Sequence, residues 1–304
     1  MYQIYQMCLD LVNANTKCVN PETKEILASS IFSLFLLKGN IILHKMPEIL
    51  NNLTIYSDNR SVREVYFDEI SKKNDTSHLR NAVACVTREY HFKGNVGTEK
   101  RSLIIPKKNI EENPITTVEK TTHELVHLLR FGDLKREGNT VILQEGIATK
   151  KYNDVAHTKS FKNIILEEAI VQDIAKKAVE VMLSYSGQIA SPLMMKMNQS
   201  KASYHSTIYE AHVVLLNYFL RDEIFQKIVD ESMITKSGVK LENYYNSVMK
   251  DNEAFRRLNH YYNMLDQAIE TNQAENAVNA VNCIKKECNQ FLKKRDNRVV
   301  KKYS

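Results

Sequence analysis

The chain has 304 residues, a formal net charge of +6 and 43% hydrophobic residues, which is enough for one large domain or two modest ones with real cores. Size therefore excludes no class of enzyme. Only 8 Gly and 5 Pro occur, which predicts a mostly helical protein with few tight turns. The five cysteines are an odd number without a CxxC pair, which argues against a disulfide framework and favours free thiols in a reducing compartment.

The termini and the most apolar window give no sign of export or membrane insertion. The first residues lack a basic start followed by an apolar run, so no secretory signal is predicted. Residues 26–46 are interrupted by serine, lysine, asparagine and histidine, which favours a buried helix over a membrane span. The basic tail, 293–302, is interpreted as solvated. We therefore expect a cytoplasmic protein without nucleic-acid or membrane partners, with unconventional export left open.

The predicted elements change character along the chain. Helices are predicted over 2–13 and 22–45, the second stopping near Pro47. Four short strands then follow, over 53–56, 65–67, 83–87 and 102–105. Gly94 and Gly97 predict an antiparallel hairpin between 82–92 and 100–106. Beyond Phe161 the pattern is helical almost to the end, with breaks near 187–192 and 236–238. The last helix carries one apolar stripe, which is expected either to pack on the rest of the same chain or to form a dimer interface.

A helix between Pro114 and Gly132 carries the chemistry. Thr116 and Glu119 have the spacing of a capping box, and Gly132 is a stop signal. Within this helix His123 and His127 are four residues apart, about 400° of rotation and about 6 Å of rise, so both imidazoles project from one face. That face can hold a single cation between two nitrogen atoms.

Glu124 follows the first histidine, where its carboxylate can reach a metal-bound water without being a ligand. The pattern is HExxH, and its alternative interpretation is a pair of helix histidines with a structural role. A catalytic zinc takes three protein ligands and leaves the fourth position to water, so a third donor is needed.

With Glu145 in Gln144-Glu145-Gly146, the chain resembles the gluzincin branch of the HExxH metallopeptidases over about 100–175. In that branch a glutamate on a second helix completes the zinc site. Seventeen residues separate His127 from Glu145, one fewer than in the aminopeptidase N family and two fewer than in the thermolysin family. The resemblance implies one Zn²⁺ held by His123, His127 and Glu145, with Glu124 as general base in peptide hydrolysis.

Two departures from the family pattern refine this expectation. Residues 101–106 replace the aminopeptidase segment that holds a free amino terminus, which favours an endopeptidase acting on a peptide or protein. Thr149 stands where the thermolysin type has an aspartate beside a zinc histidine, so that support must come from elsewhere. Glu167 and Glu168 are the candidates, and if Glu168 binds the metal it displaces Glu145.

An oxyanion donor is expected from a later helix around 202–220. His205, Tyr209 and His212 fall at i, i+4 and i+7 there, and we predict catalytic roles for Tyr209 or His205. The resemblance also implies an edge strand that pairs with an extended substrate, and 102–105 is the local candidate.

These observations predict an α+β, mostly helical protein with a zincin-like core, a small sheet containing antiparallel strands and a helical C-terminal part. The expected regions are 1–79, helical with short strands, 80–185, the catalytic core, and 186–304, helical with a basic tail. A zinc-dependent metallopeptidase is the predicted function. The alternatives are a non-catalytic helical protein with a structural metal site and a zinc hydrolase of other substrates; the oligomeric state is left open.

Overall fold

The computed structural model describes residues 1–16, 20–70, 82–93, 96–153, 155–156, 158–206, 209–235 and 239–303. It is 70% helical with two small sheets, which confirms the predicted α+β, mostly helical class. The chain forms two compact units, each made of two segments: Met1–Leu129 with Ile174–Ser206, and Arg130–Asp173 with Thr207–Ser304. The division into three consecutive regions stays a prediction.

The first unit is built mainly from helices. They are α1 (Tyr2–Asn15), α2 (Pro21–Lys38), α3 (Ile41–Asn51), the one-turn α4 (Val62–Val65), α5 (Lys107–Glu112), most of α6 (Pro114–Arg130), the second half of α7 (Ile164–Tyr185) and α8 (Pro192–Ser200). Helix α2 begins at Pro21 after Asn20, whose side chain accepts from the Glu22 amide at 3.0 Å. Its residues from 26 to 34 are all buried, as expected for the apolar window.

Two sequence-based boundaries in this unit are wrong. The predicted helix over 22–45 is divided at Gly39, whose φ of +73° favours glycine and ends α2, and α3 then continues through Pro47 to Asn51. The predicted strand at 65–67 is helical, because Ser61 and Glu64 form a capping box that starts α4 and a π-helical turn follows over Tyr66–Ile70.

The sheet of the first unit has three strands in the order β1-β3-β2: β1 (Leu53–Tyr56), β2 (Cys85–Lys93) and β3 (Val96–Ile104). Strands β2 and β3 are antiparallel, which confirms the predicted hairpin, although Gly94 and Asn95 lie outside the described residues. Strand β1 is parallel to β3. The predicted edge strand at 102–105 is therefore wrong: β3 is paired on both sides, and β1 and β2 form the two edges of this sheet.

The second unit contains a four-stranded antiparallel meander that the sequence did not predict. Its strands are β4 (Phe131–Glu137), β5 (Thr140–Glu145), β6 (Ala148–Asn153) and β7 (Thr158–Lys162), in that order. Gly138, with φ +58°, lies in the turn between Glu137 and Thr140, and Gly146, with φ +53°, lies in the turn between Glu145 and Ala148. Glu145 thus ends a strand and does not lie on a second helix.

Helices make up the rest of the second unit: the first half of α7, α9 (Glu210–Phe219), α10 (Glu223–Thr235), α11 (Val239–Met249), α12 (Ala254–Glu270) and α13 (Ala274–Tyr303). Helix α13 packs against α9, α11 and α12, with Ile284, Cys288 and Phe291 buried, so the predicted stripe faces the body of the chain. Lys294 and Arg295 contact the Met249 carbonyl and Asp222, which ties the start of the basic tail to this unit.

The sequence predicted no membrane-spanning helix and no disulfide framework. In the part of the chain that the structure describes, no helix combines the length and apolarity needed to cross a bilayer. Cys8, Cys85, Cys283 and Cys288 are free thiols, whereas Cys18 lies outside the described residues.

Candidate metal centre

The two histidines of the HExxH motif converge on one point. Helix α6 places His123 and His127 on one face, both buried, with their Nε2 atoms 3.0 Å apart. Two nitrogen ligands at 2.0–2.1 Å from a tetrahedral ion are separated by roughly 3.4 Å. The observed distance between the two Nε2 atoms therefore agrees, within a few tenths of an ångström, with the distance expected for two ligands of one zinc ion.

Glu168, on the first turns of α7, completes a group with these histidines. One potential ligand atom from each of His123, His127 and Glu168 lies within 4.8 Å of the other two. Two neutral imidazoles and one carboxylate are a donor set typical of catalytic zinc, so the residues fit this ion. Glu145, the third ligand that the resemblance implied, is not a member of the group.

Glu145 instead lies at the end of β5, where it is buried. Its Oε2 accepts from the Lys150 ammonium at 3.1 Å, and the two side chains are 3% and 27% exposed. The Lys150 ammonium is thus an ion-pair partner of this buried carboxylate. Glu168, the alternative that the sequence left open, is the carboxylate that this group contains.

The residue before Glu168 is held by a buried ion pair. Arg130, three positions after His127 on α6, has no exposed surface, and its guanidinium contacts the Glu167 carboxylate through Nε and through Nη2, the latter at 2.9 Å. The Ile147 amide also donates to Glu167 at 2.9 Å. This ion pair links the end of the histidine helix to the residue that precedes Glu168.

Gly146 is required by the same ion pair. A Cβ atom at this position would collide with the Glu167 carboxylate and would lie 2.6 Å from the Arg130 Nη2 atom. The Glu145-Gly146 step, interpreted from the sequence as a ligand signature, therefore serves a hairpin turn beneath a buried ion pair. No local sequence signal distinguishes these two uses of the same residues.

Glu124 lies next to the metal group and is oriented by the edge strand. It is the one residue among 121–130 that is not buried, and its Oε2 accepts from the Val86 amide of β2 at 3.1 Å. The partly buried Cys85 lies close by, and burial, followed by the charge of Glu124, raises the pKa of its thiol. Glu124 is thus a half-exposed carboxylate in a fixed position beside His123.

A second acidic residue of α6 was not recognised as functional from the sequence. Glu119 is fully buried, lies one turn before His123, and accepts from the Tyr204 hydroxyl and from Ser206 Oγ at 2.6 Å. It holds the segment that carries His205, which is exposed. The predicted capping box is therefore wrong: Glu119 binds this distant segment, and the helix begins at Pro114.

The expected common helix for His205, Tyr209 and His212 is also wrong. Helix α9 begins at Glu210, and residues 201–203 form a 3-10 turn, so His205 precedes the helix. Tyr209 occupies the N-cap position with φ +47°, and its ring packs against that of His212 with centroids 5.7 Å apart. Catalytic roles for His205 and Tyr209 stay predictions.

The buried His212 lies beside the partly exposed Asp266 in the second unit. His212 Nε2 lies 3.7 Å from Asp266 Oδ1, and its ring stacks on Tyr262. Burial lowers the pKa of His212 to about 4, so the imidazole is neutral at pH 7. The pKa of Asp266 is raised to about 6 by burial and then by the charges of Glu270 and Glu168, which places Asp266 near the candidate ligand on α7.

Comparisons with protein-family models, with curated proteins and with solved structures found no match to this chain.

Proposed function

We propose that this protein is a zinc-dependent hydrolase that cleaves peptide bonds, with His123, His127 and Glu168 as the metal ligands and a zincin-like core around them. The convergence of these three side chains is the observation that carries the proposal. It combines the HExxH pattern with a third donor of the correct chemistry, in a position where the histidines are buried and Glu168 is partly exposed.

The number of donors favours catalysis over a structural role. A structural zinc site is closed by four protein ligands, whereas a catalytic site has three and leaves one position open. Among the described residues the group has three members. A zinc ion bound there would lower the pKa of a water molecule to about 7 and polarise a substrate carbonyl.

The residues around the ligands have complementary roles. Glu124 accepts a proton from the attacking water and returns it to the leaving amine, and the Val86 amide keeps one of its oxygen atoms in position. The Arg130–Glu167 ion pair holds the start of α7, so Glu168 does not have to be ordered when the metal binds.

Strand β2 is the natural place for a peptide substrate. It is an edge strand, and its Val86 amide is directed at Glu124 and not at β3, so the outer edge of the sheet passes the general base. An extended peptide that adds to this edge would form main-chain hydrogen bonds and bring its backbone past Glu124. Such a mode does not require a free amino terminus, which favours an endopeptidase.

The experiment that tests this function is the Glu124→Gln variant. The amide keeps the shape of the side chain and leaves all three proposed ligands in place, but it cannot accept the proton of water. We expect unchanged zinc content and a fall of about 10²–10⁴ in the rate of peptide cleavage, measured by mass spectrometry on a random peptide library. Glu112→Gln, which removes an exposed carboxylate on α5, is the matched control and should cleave at the parent rate.

Equal cleavage by the parent and Glu124→Gln proteins would refute the role of this glutamate. Absence of zinc from the parent protein would refute the metal-dependent mechanism altogether.

A further inference from the structure

A cavity of about 570 Å³ lies in the second unit, where β6 and β7 meet α7 and α12. Its apolar wall is formed by Tyr152, Phe161 and Ile165, with the two aromatic rings packed edge to face at 6.0 Å. Ile165 is three positions before Glu168 on α7, so the cavity and the proposed ligand lie on neighbouring parts of one helix surface. The cavity is thus next to the ligand that α7 supplies.

The opposite wall is acidic. Asp266 and Glu270 are four residues apart on α12 and both line the cavity, so their carboxylates share one face of that helix. In the part of the chain that the structure describes, no lysine or arginine forms an ion pair with either of them. Asp266 faces the neutral His212, which cannot compensate its charge.

The one basic residue that lines the cavity is already engaged. The Lys150 ammonium contacts the almost completely buried Glu145 carboxylate at 3.1 Å. The cavity therefore combines an apolar wall with two carboxylates that form no ion pair with a lysine or arginine among the described residues.

We propose that this cavity binds a lysine or arginine side chain of the peptide substrate. The aliphatic stem packs against Tyr152, Phe161 and Ile165, and the cationic head contacts Asp266 and Glu270. An acidic side chain would be repelled by the two carboxylates, and a purely apolar one would leave their charges unpaired. This inference rests on the proposed function for the identity of the ligand, and it names the substrate class as peptides with a basic residue close to the cleaved bond.

The test uses a peptide pool in which one position is either lysine or norleucine and the other positions are randomised. Norleucine has nearly the same stem without the charge. The pool is applied to the zinc-loaded Glu124→Gln protein, and retained peptides are counted by mass spectrometry; the cleavage of the same pool by the parent protein is measured separately. We expect lysine peptides to be retained and cleaved at least about fivefold better than norleucine peptides.

The double variant Asp266→Asn with Glu270→Gln should reduce this preference to less than about twofold. Glu253→Gln is the matched control, because it removes one exposed carboxylate at the other end of α12 and should leave the preference intact. The inference would be overturned if the preference persisted in the double variant. It would also be overturned if the Glu124→Gln protein with an intact cavity retained lysine and norleucine peptides equally.

The two proposals fail in distinguishable ways. If peptides are cleaved without any preference for lysine, the cavity assignment is wrong and the hydrolase stands. If lysine peptides are retained through Asp266 and Glu270 but nothing is cleaved by the parent protein, the cavity assignment stands and hydrolysis of peptides is refuted.

Discussion

The substitution Gly146→Ala tests whether the ion pair beside the proposed metal ligand depends on this turn. Gly146 has φ +53°, which costs alanine about 1 kcal/mol, and the new methyl group would occupy the space of the Glu167 carboxylate. Glu167 and Arg130 are both buried, so neither can move away without separating a buried pair, which costs about 3–5 kcal/mol. We expect a total loss of about 4–6 kcal/mol in the free energy of unfolding.

Gly138→Ala provides the matched control for this variant. Gly138 has nearly the same conformation, with φ +58°, but no atom lies within 4 Å of an added Cβ. It should therefore lose only the backbone contribution of about 1 kcal/mol. The free energy of unfolding of both variants is measured on metal-free protein by urea denaturation, followed by circular dichroism, so that metal binding does not contribute to the difference.

The difference between the two variants isolates the collision with the ion pair. A gap of about 3 kcal/mol or more is expected. If both glycine variants lose the same stability, the Arg130–Glu167 pair does not occupy the space above Gly146, and the explanation given for the Glu-Gly step is refuted.

Three further predictions concern Glu119, His212 and Asp266. Glu119→Gln should weaken its contacts with Tyr204 and Ser206 and cost about 1.5–3 kcal/mol, with faster amide exchange in 200–206; unchanged exchange would contradict the anchoring role. The folded pKa of His212, about 4, lies below its unfolded value of 6.5, so acidification of the metal-free protein from pH 6.5 to 4 should lower the free energy of unfolding. We expect this loss to be about 3 kcal/mol and to be absent in His212→Gln. The pKa of Asp266 is raised from 3.8 to about 6, so its protonation stabilises the fold as the pH falls through that window, and Asp266→Asn should make the loss on acidification steeper. Urea titrations at several pH values check both, and parallel curves for the variants and the parent would contradict them.

Local patterns in the sequence were sufficient for the histidine helix and for the first hairpin. The spacing of His123 and His127 is a property of one helix, which begins at the expected Pro114 and ends at Arg130, two residues before the expected stop at Gly132. The alternation around Leu103 likewise belongs to one strand pair, and its pairing with β2 is observed. Interactions within a few residues determine such elements, so a sequence pattern can reveal them.

The second sheet left almost no local signal. All five residues of β7 are exposed, so this strand has no apolar alternation and is held by backbone pairing with β6. Strand β5 is a short apolar run, Thr140–Glu145, that periodicity cannot distinguish from a buried helical segment. The turn glycines Gly138 and Gly146 were the local signals that could have identified the meander.

The proposed third donor depends on contacts between distant parts of the sequence. Glu168 lies 41 positions after His127, and its placement follows from the pairing of Arg130 with Glu167, which no spacing rule predicts. The resemblance favoured Glu145 because of its distance from the histidines along the chain. Glu145 contacts Lys150, and the group of His123, His127 and Glu168 does not include it.

The most direct test of the proposed centre is a zinc affinity measurement by competition with a chromophoric chelator, on the parent protein and on Glu168→Gln and Glu145→Gln. If His123, His127 and Glu168 hold the ion, the parent binds one zinc per chain, Glu168→Gln weakens binding by at least about 10–100-fold, and Glu145→Gln changes it by less than about threefold. Strong loss in Glu145→Gln with little change in Glu168→Gln, or no zinc binding by the parent, would contradict the proposed centre.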